Sequence, residues 1–119
     1  MQYVLLIYQG TTPLPGRPDW DALPEEEQRR IYADYHALHQ VDGLTPGLPL
    51  GLPDQATTVR SDGGQPSATQ GPYVDTKGAV GGYVVLEAED LAAATAVAAR
   101  IPAARLGGAV EVRPVEKYW

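Results

Sequence analysis

Gln2-Tyr3-Val4-Leu5-Leu6-Ile7-Tyr8 and Gly82-Tyr83-Val84-Val85-Leu86-Glu87 decide the fold. Both stretches are short, rich in β-branched and aromatic residues, and apolar at odd and even positions alike. That is the signature of a strand covered on both faces, at the centre of a sheet. Outward from them, Pro24–Val41 reads as a helix. Pro24 suits its first position, Glu25, Glu26 and Glu27 complement the positive end of the helix dipole, and Ile31, Tyr35 and Leu38 recur at helical spacing until Gly43 stops it. Leu23, with no acceptor in its side chain, falls at the cap. Two polar, Thr-bearing strands, Gln55–Ser61 and Gln65–Gln70, surround Asp62-Gly63-Gly64, a hairpin signal because such turns need positive φ. Asp90 caps a second helix, Leu91–Arg100, with an inner stripe of Leu91, Ala94, Thr95, Ala98 and Ile101, and Pro102 ends it. Ala109–Val115 alternates as a half-buried strand.

The order β-α-β-(β)-β-α-β is the split βαβ, ferredoxin-like pattern: an α+β domain with an extra hairpin strand. The Thr-rich hairpin and the C-terminal strand are expected at the edges. Thr11–Pro18 and Leu44–Asp54, rich in Pro and Gly, read as internal loops of one domain, in keeping with 119 residues. Two helices cover one face of a four-stranded sheet. The other face would expose apolar residues of both central strands, so a homodimer packed sheet face to sheet face is expected.

The balance of charge, −6 with a pI near 4.7, argues against nucleic-acid and anionic-membrane partners. With no Cys, thiolate metal sites and Cys nucleophiles are excluded, and two Ser and two His leave little material for a hydrolase triad. The apolar start is too short for a signal peptide and lacks a basic leader, and no apolar run approaches the ~20 residues of a membrane span, so a cytoplasmic location is expected.

His36 and His39 are the residues that titrate near neutrality. His39 lies near the edge of the helix stripe and could act as an acid–base group between helix and sheet, or stand as a boundary histidine. No third residue is positioned to complete a metal site, and none is expected. Asp75 and Lys77, two apart in extended chain, point the same way and could hold an anionic ligand or poise each other; alternatively they shape a turn. Gly78-Ala79-Val80-Gly81-Gly82 precedes a strand and is no phosphate cradle; Gly81-Gly82 suits a bulge. Tyr3, Tyr8, Tyr73 and Tyr83 offer hydroxyls or interface rings, Arg100 and Arg105 suit ion pairs at a helix end, and Ser61 and Ser67 have no base beside them. His39 and Asp75 are the candidate catalytic pair; Tyr35, Lys77 and Tyr83 are candidate binding residues. No cofactor motif is present.

The chain resembles the YCII-related family, in particular its DGPF-domain branch. The likeness rests on Met1–Tyr8, Leu23-Pro24-Glu25-Glu26, Gln70-Gly71-Pro72-Tyr73 with Val74-Asp75-Thr76-Lys77, Gly81-Gly82-Tyr83, Ala99–Arg105 and Val110-Glu111-Val112-Arg113-Pro114. It implies a dimeric α+β barrel and, through the branch's association with extracytoplasmic-function sigma factors, a possible sigma-factor partner. Some members of the wider family are proposed enzymes with a His and an Asp at a pocket. Here Gln70 replaces the motif's Asp, Tyr73 its Phe and Asp75 the following Glu. Ile101-Pro102 stands where such relatives show Asp-Pro, and the histidines fall late in the first helix, so the pair does not carry over. Two functions follow as expectations: a small-ligand-binding or accessory module, or a cofactor-free isomerase, lyase or dehydratase working by proton transfer in the barrel cleft.

Overall fold

The computed structural model of the protein describes residues 1–75 and 78–118. Among the described residues, six strands and three helices follow in the order β1 (Gln2–Tyr8), α1 (Pro18–Asp21), α2 (Glu25–Leu38), β2 (Leu44–Pro46), β3 (Thr57–Asp62), β4 (Gln65–Gln70), β5 (Val80–Glu87), α3 (Leu91–Ala98) and β6 (Ala109–Pro114). Short 3-10 turns occupy Pro53–Gln55 and Pro102–Ala104.

The main sheet has the antiparallel order β2-β5-β1-β6, so the two strands apolar on both faces lie at its centre. This is the ferredoxin-like arrangement. The hairpin does not join it: β3 and β4 form a separate two-stranded sheet, and Leu44–Pro46, expected as loop, takes the edge beside β5. The reason is chemical. β3 and β4 are exposed along nearly their whole length and have no apolar row to offer the core, whereas Leu44 packs against it. The prolines within strands sit where a missing N–H costs no ladder bond: Pro46 and Pro114 on the sheet's edge strands, Pro66 on the hairpin. The hairpin turns through Gly63 and Gly64, at φ of 57° and 82°, with Asp62 and Gln65 as the flanking pair. The turn is therefore centred one residue later than an Asp-Gly turn.

Tyr3, Leu5 and Ile7 of β1 face the helices, beside Val84 and Leu86 of β5 and Val110 and Val112 of β6. Leu38, Ala94, Ala98, Ile101 and Ala103 close the core from the other side. The α2 stripe is as expected, with Ile31 and Leu38 buried. That of α3 is rotated: Leu91 and Thr95 are exposed, and Val97 packs instead. Asp90 caps α3 by accepting from the Ala93 amide at 2.9 Å, a contact worth about 1 kcal/mol. On α2 the cap position is Pro24, not Leu23, and again no side chain fills it. α1, a single turn, was not legible as a helix. It buries Trp20 edge-on to Tyr32 of α2, ring centres 5.3 Å apart, and Gln28 donates to the Trp20 and Leu23 carbonyls. Arg105 joins the end of the α3 segment to α2 through Glu27 and Asp34, at 3.0 and 2.9 Å.

Val4, Leu6 and Tyr8, with Tyr83 and Val85 opposite, occupy the sheet face turned away from the helices. Glu111 and Arg113 flank them on β6, and Thr45 on β2. No helix covers this face among the described residues. Among the same residues no helix is long and apolar enough to cross a membrane.

Candidate functional site

The row Tyr3, Leu5, Ile7 continues by alternation to Gln9, which puts an amide where the core face predicts an apolar side chain. β5 makes room for it. Ile7 pairs with Gly82 and Tyr8 with Val80, so Gly81 is the extra residue of a bulge, as its sequence suggested. A Cβ at Gly81 would overlap the Gln9 side chain. From Gln9 the chain turns at once, the Thr12 amide donating to the Gln9 carbonyl at 2.8 Å.

Beside this turn lies a cavity of about 240 Å³. Gln9, Thr11, Thr12, Arg17 and Asp19 supply its polar side chains, the Thr11 hydroxyl donating to the Gly107 carbonyl at 3.4 Å; Leu14, Leu50, Leu52 and Ala79 are among its apolar walls. Two atoms of its lining residues stand out. Gln9 Oε1 and Thr12 Oγ1 are sealed from solvent with no hydrogen-bond partner among the described residues. Such groups are rare in native proteins and cost about 1–3 kcal/mol each. Arg17 and Asp19 are exposed and form no ion pair with each other; Asp19 accepts the Trp20 amide at 3.0 Å. Replacing Thr12 by the isosteric valine removes the idle hydroxyl, so Thr12→Val is expected to raise the unfolding free energy by about 1 kcal/mol. Urea unfolding measures this, and a loss of stability would mean that the hydroxyl is bonded in the folded protein.

Tyr35 lies behind Gln9. Burial raises its phenol above the usual tyrosine value, and a hydrogen bond with the Gln9 side chain offsets part of the rise. The folded state therefore prefers the neutral phenol. Its contribution is intact below pH about 10, the unfolded value, and is lost as pH rises through the higher folded value. Unfolding free energies at pH 8 and pH 11 are expected to differ less in Tyr35→Phe than in the parent.

The residues singled out from sequence are scattered. Tyr35 borders a small cavity of about 60 Å³ with Thr12, Leu14, Trp20 and Pro102. His39 is the exposed C-terminal cap of α2, and His36 is exposed one turn earlier. Asp75 is exposed in the loop after β4, its carboxylate accepting the Gly78 amide at 2.7 Å. Tyr83 is on the opposite side of the sheet from α2, its ring against Gly47. Lys77 falls outside the described residues. A wider hollow of about 490 Å³ lies at the foot of the hairpin, between Tyr8, Leu50, Pro72 and Tyr73; neither His39 nor Asp75 lines any of these three cavities. Among the described residues no cluster of His, Asp and Glu is arranged to hold a metal ion.

Gln9, Thr12, Arg17 and Asp19 went unnoticed in the sequence. One signal was available, the polar residue at a core-facing position of β1. No curated protein matches the chain. The YCII-related domain model matches residues 1–118, and the chain belongs to that family.

Proposed function

We propose that this protein is a small-ligand-binding module whose site is the cavity beside Gln9 and Thr12. The observation that carries the reading is a cavity lined by Gln9 and Thr12, each with a buried oxygen lacking a hydrogen-bond partner among the described residues, and by an arginine and an aspartate that do not pair with each other. Concave, mostly apolar hollows with a few placed polar groups are where small molecules bind. The enzymatic alternative, proton transfer between His39 and Asp75, draws less support: both are exposed, and the Asp75 carboxylate is engaged by the Gly78 amide. The Gln70-Gly71-Pro72-Tyr73 motif favours the DGPF branch, and the apolar sheet face that no helix covers among the described residues favours a homodimer. In a cytoplasmic accessory role beside a sigma factor, the bound ligand would be the signal.

Thermal shift against a metabolite library tests this. A ligand at one hundred times its Kd stabilises the fold by about 2.7 kcal/mol, a shift of about 10 °C. The expected result is a hit that Gln9→Leu abolishes and His39→Ala retains. The reverse pattern, or a library that shifts nothing, overturns the proposal.

A further inference from the structure

Resting on that reading, the geometry points to a ligand class: we infer that the cavity takes an apolar α-amino acid, or a short derivative that keeps both its charges. One cation and one anion, Arg17 and Asp19, border the same hollow without pairing, so the cavity is neutral overall yet presents both signs. A ligand carrying one charge alone engages one of the two groups and leaves the other to water. A zwitterion answers both, its carboxylate to the Arg17 guanidinium in a charge-assisted pair and its ammonium to Asp19.

The hydrogen-bond inventory agrees. Gln9 Oε1 can only accept, Thr12 Oγ1 can accept, and the Asp19 carboxylate is held by one backbone amide at a single oxygen. Gln9, Thr12 and Asp19 therefore have acceptor capacity to spare, and an ammonium brings three donors and no acceptor. A small turn of the Gln9 or Thr12 side chain would bring its oxygen to such a donor, and the penalty of the unmet oxygen would be recovered on binding. Leu14, Leu50, Leu52 and Ala79 supply the wall for an aliphatic side chain. At about 240 Å³ the volume falls just below the range of drug-sized sites and suits a small metabolite.

The probes are L-leucine, L-leucinamide (no carboxylate) and 4-methylpentanoate (no ammonium), titrated calorimetrically into the full chain. L-leucine is expected to bind at least tenfold more tightly than either analogue, since hydrogen bonds to charged groups are the strong ones. Arg17→Met should erase the preference over leucinamide, and Asp19→Asn the preference over 4-methylpentanoate. Both positions are exposed, and asparagine keeps the acceptor for the Trp20 amide, so folding is preserved. Equal binding of leucine and either analogue to the parent overturns the class. If none of the three binds while a library compound still shifts the parent and not Gln9→Leu, the class falls and the binding site stands. If the library is silent too, both fall.

Discussion

Gly10→Ala is expected to lower the unfolding free energy by about 3–5 kcal/mol. Two costs add. Gly10 has a φ of 56°, which an L side chain adopts only with strain of about 1–2 kcal/mol. A Cβ there would also overlap the Gly107 carbonyl oxygen, which is backbone and cannot swing aside. That oxygen accepts from the Thr11 amide at 3.2 Å, so relieving the overlap breaks the bond that fastens the turn after β1 to the segment before β6. Overpacking of this kind adds about 1–3 kcal/mol. The corresponding fall in melting temperature is more than about 10 °C in a domain of this size. A loss below about 1 kcal/mol would mean that the two loops separate freely.

Leu6→Asp is expected to weaken self-association at least about 100-fold while leaving the monomer folded. Leu6 lies opposite Tyr83 on the sheet face away from the helices, between Val4 and Tyr8 along β1. If a second copy covers this face, two-fold symmetry brings the substituted positions near each other, and each carboxylate would be buried without a partner. In the isolated chain Leu6 is only half-buried, so the fold bears a smaller part of the cost than the interface. Sedimentation velocity at micromolar concentration, with circular dichroism as the folding check, distinguishes the cases. A parent protein that is already monomeric removes the basis for the dimer.

The centre of the sheet was legible because Val4–Tyr8 and Tyr83–Leu86 each carry two apolar rows, a pattern that local composition alone announces. The Asp90 cap was legible for a similar reason, a short acceptor placed just before an alanine-rich run. β2 was not. Leu44-Thr45-Pro46 is too short for alternation to register, and it becomes a strand only because β5 offers a free edge. α1 was hidden because four residues hold no periodicity; Trp20 is buried through contacts made by α2. The candidate site was less legible still. Gln9, Arg17 and the loop at Leu50–Leu52 come together only after the sheet has formed, and no spacing in the chain anticipates that meeting. Conversely, His39 and Asp75 were conspicuous by chemistry, yet the fold sets them on separate surface segments, and neither lines any of the three cavities described.

The hairpin of β3 and β4 contributes no residue to the hydrophobic core and shares no ladder with the main sheet. A two-stranded ribbon is marginal by itself, so its loss would subtract little from the stability of the whole. The arm is thus free to vary in length. Residues spliced between Gly63 and Gly64 enlarge only a solvent-facing loop, and each doubling of that loop costs about 0.6 kcal/mol of closure entropy. A fluorophore or a short peptide placed there should report on whatever approaches the tip while Leu5 and Ile101 keep their packing. Reach, in this protein, is a quantity that insertion can tune independently of the fold that carries it.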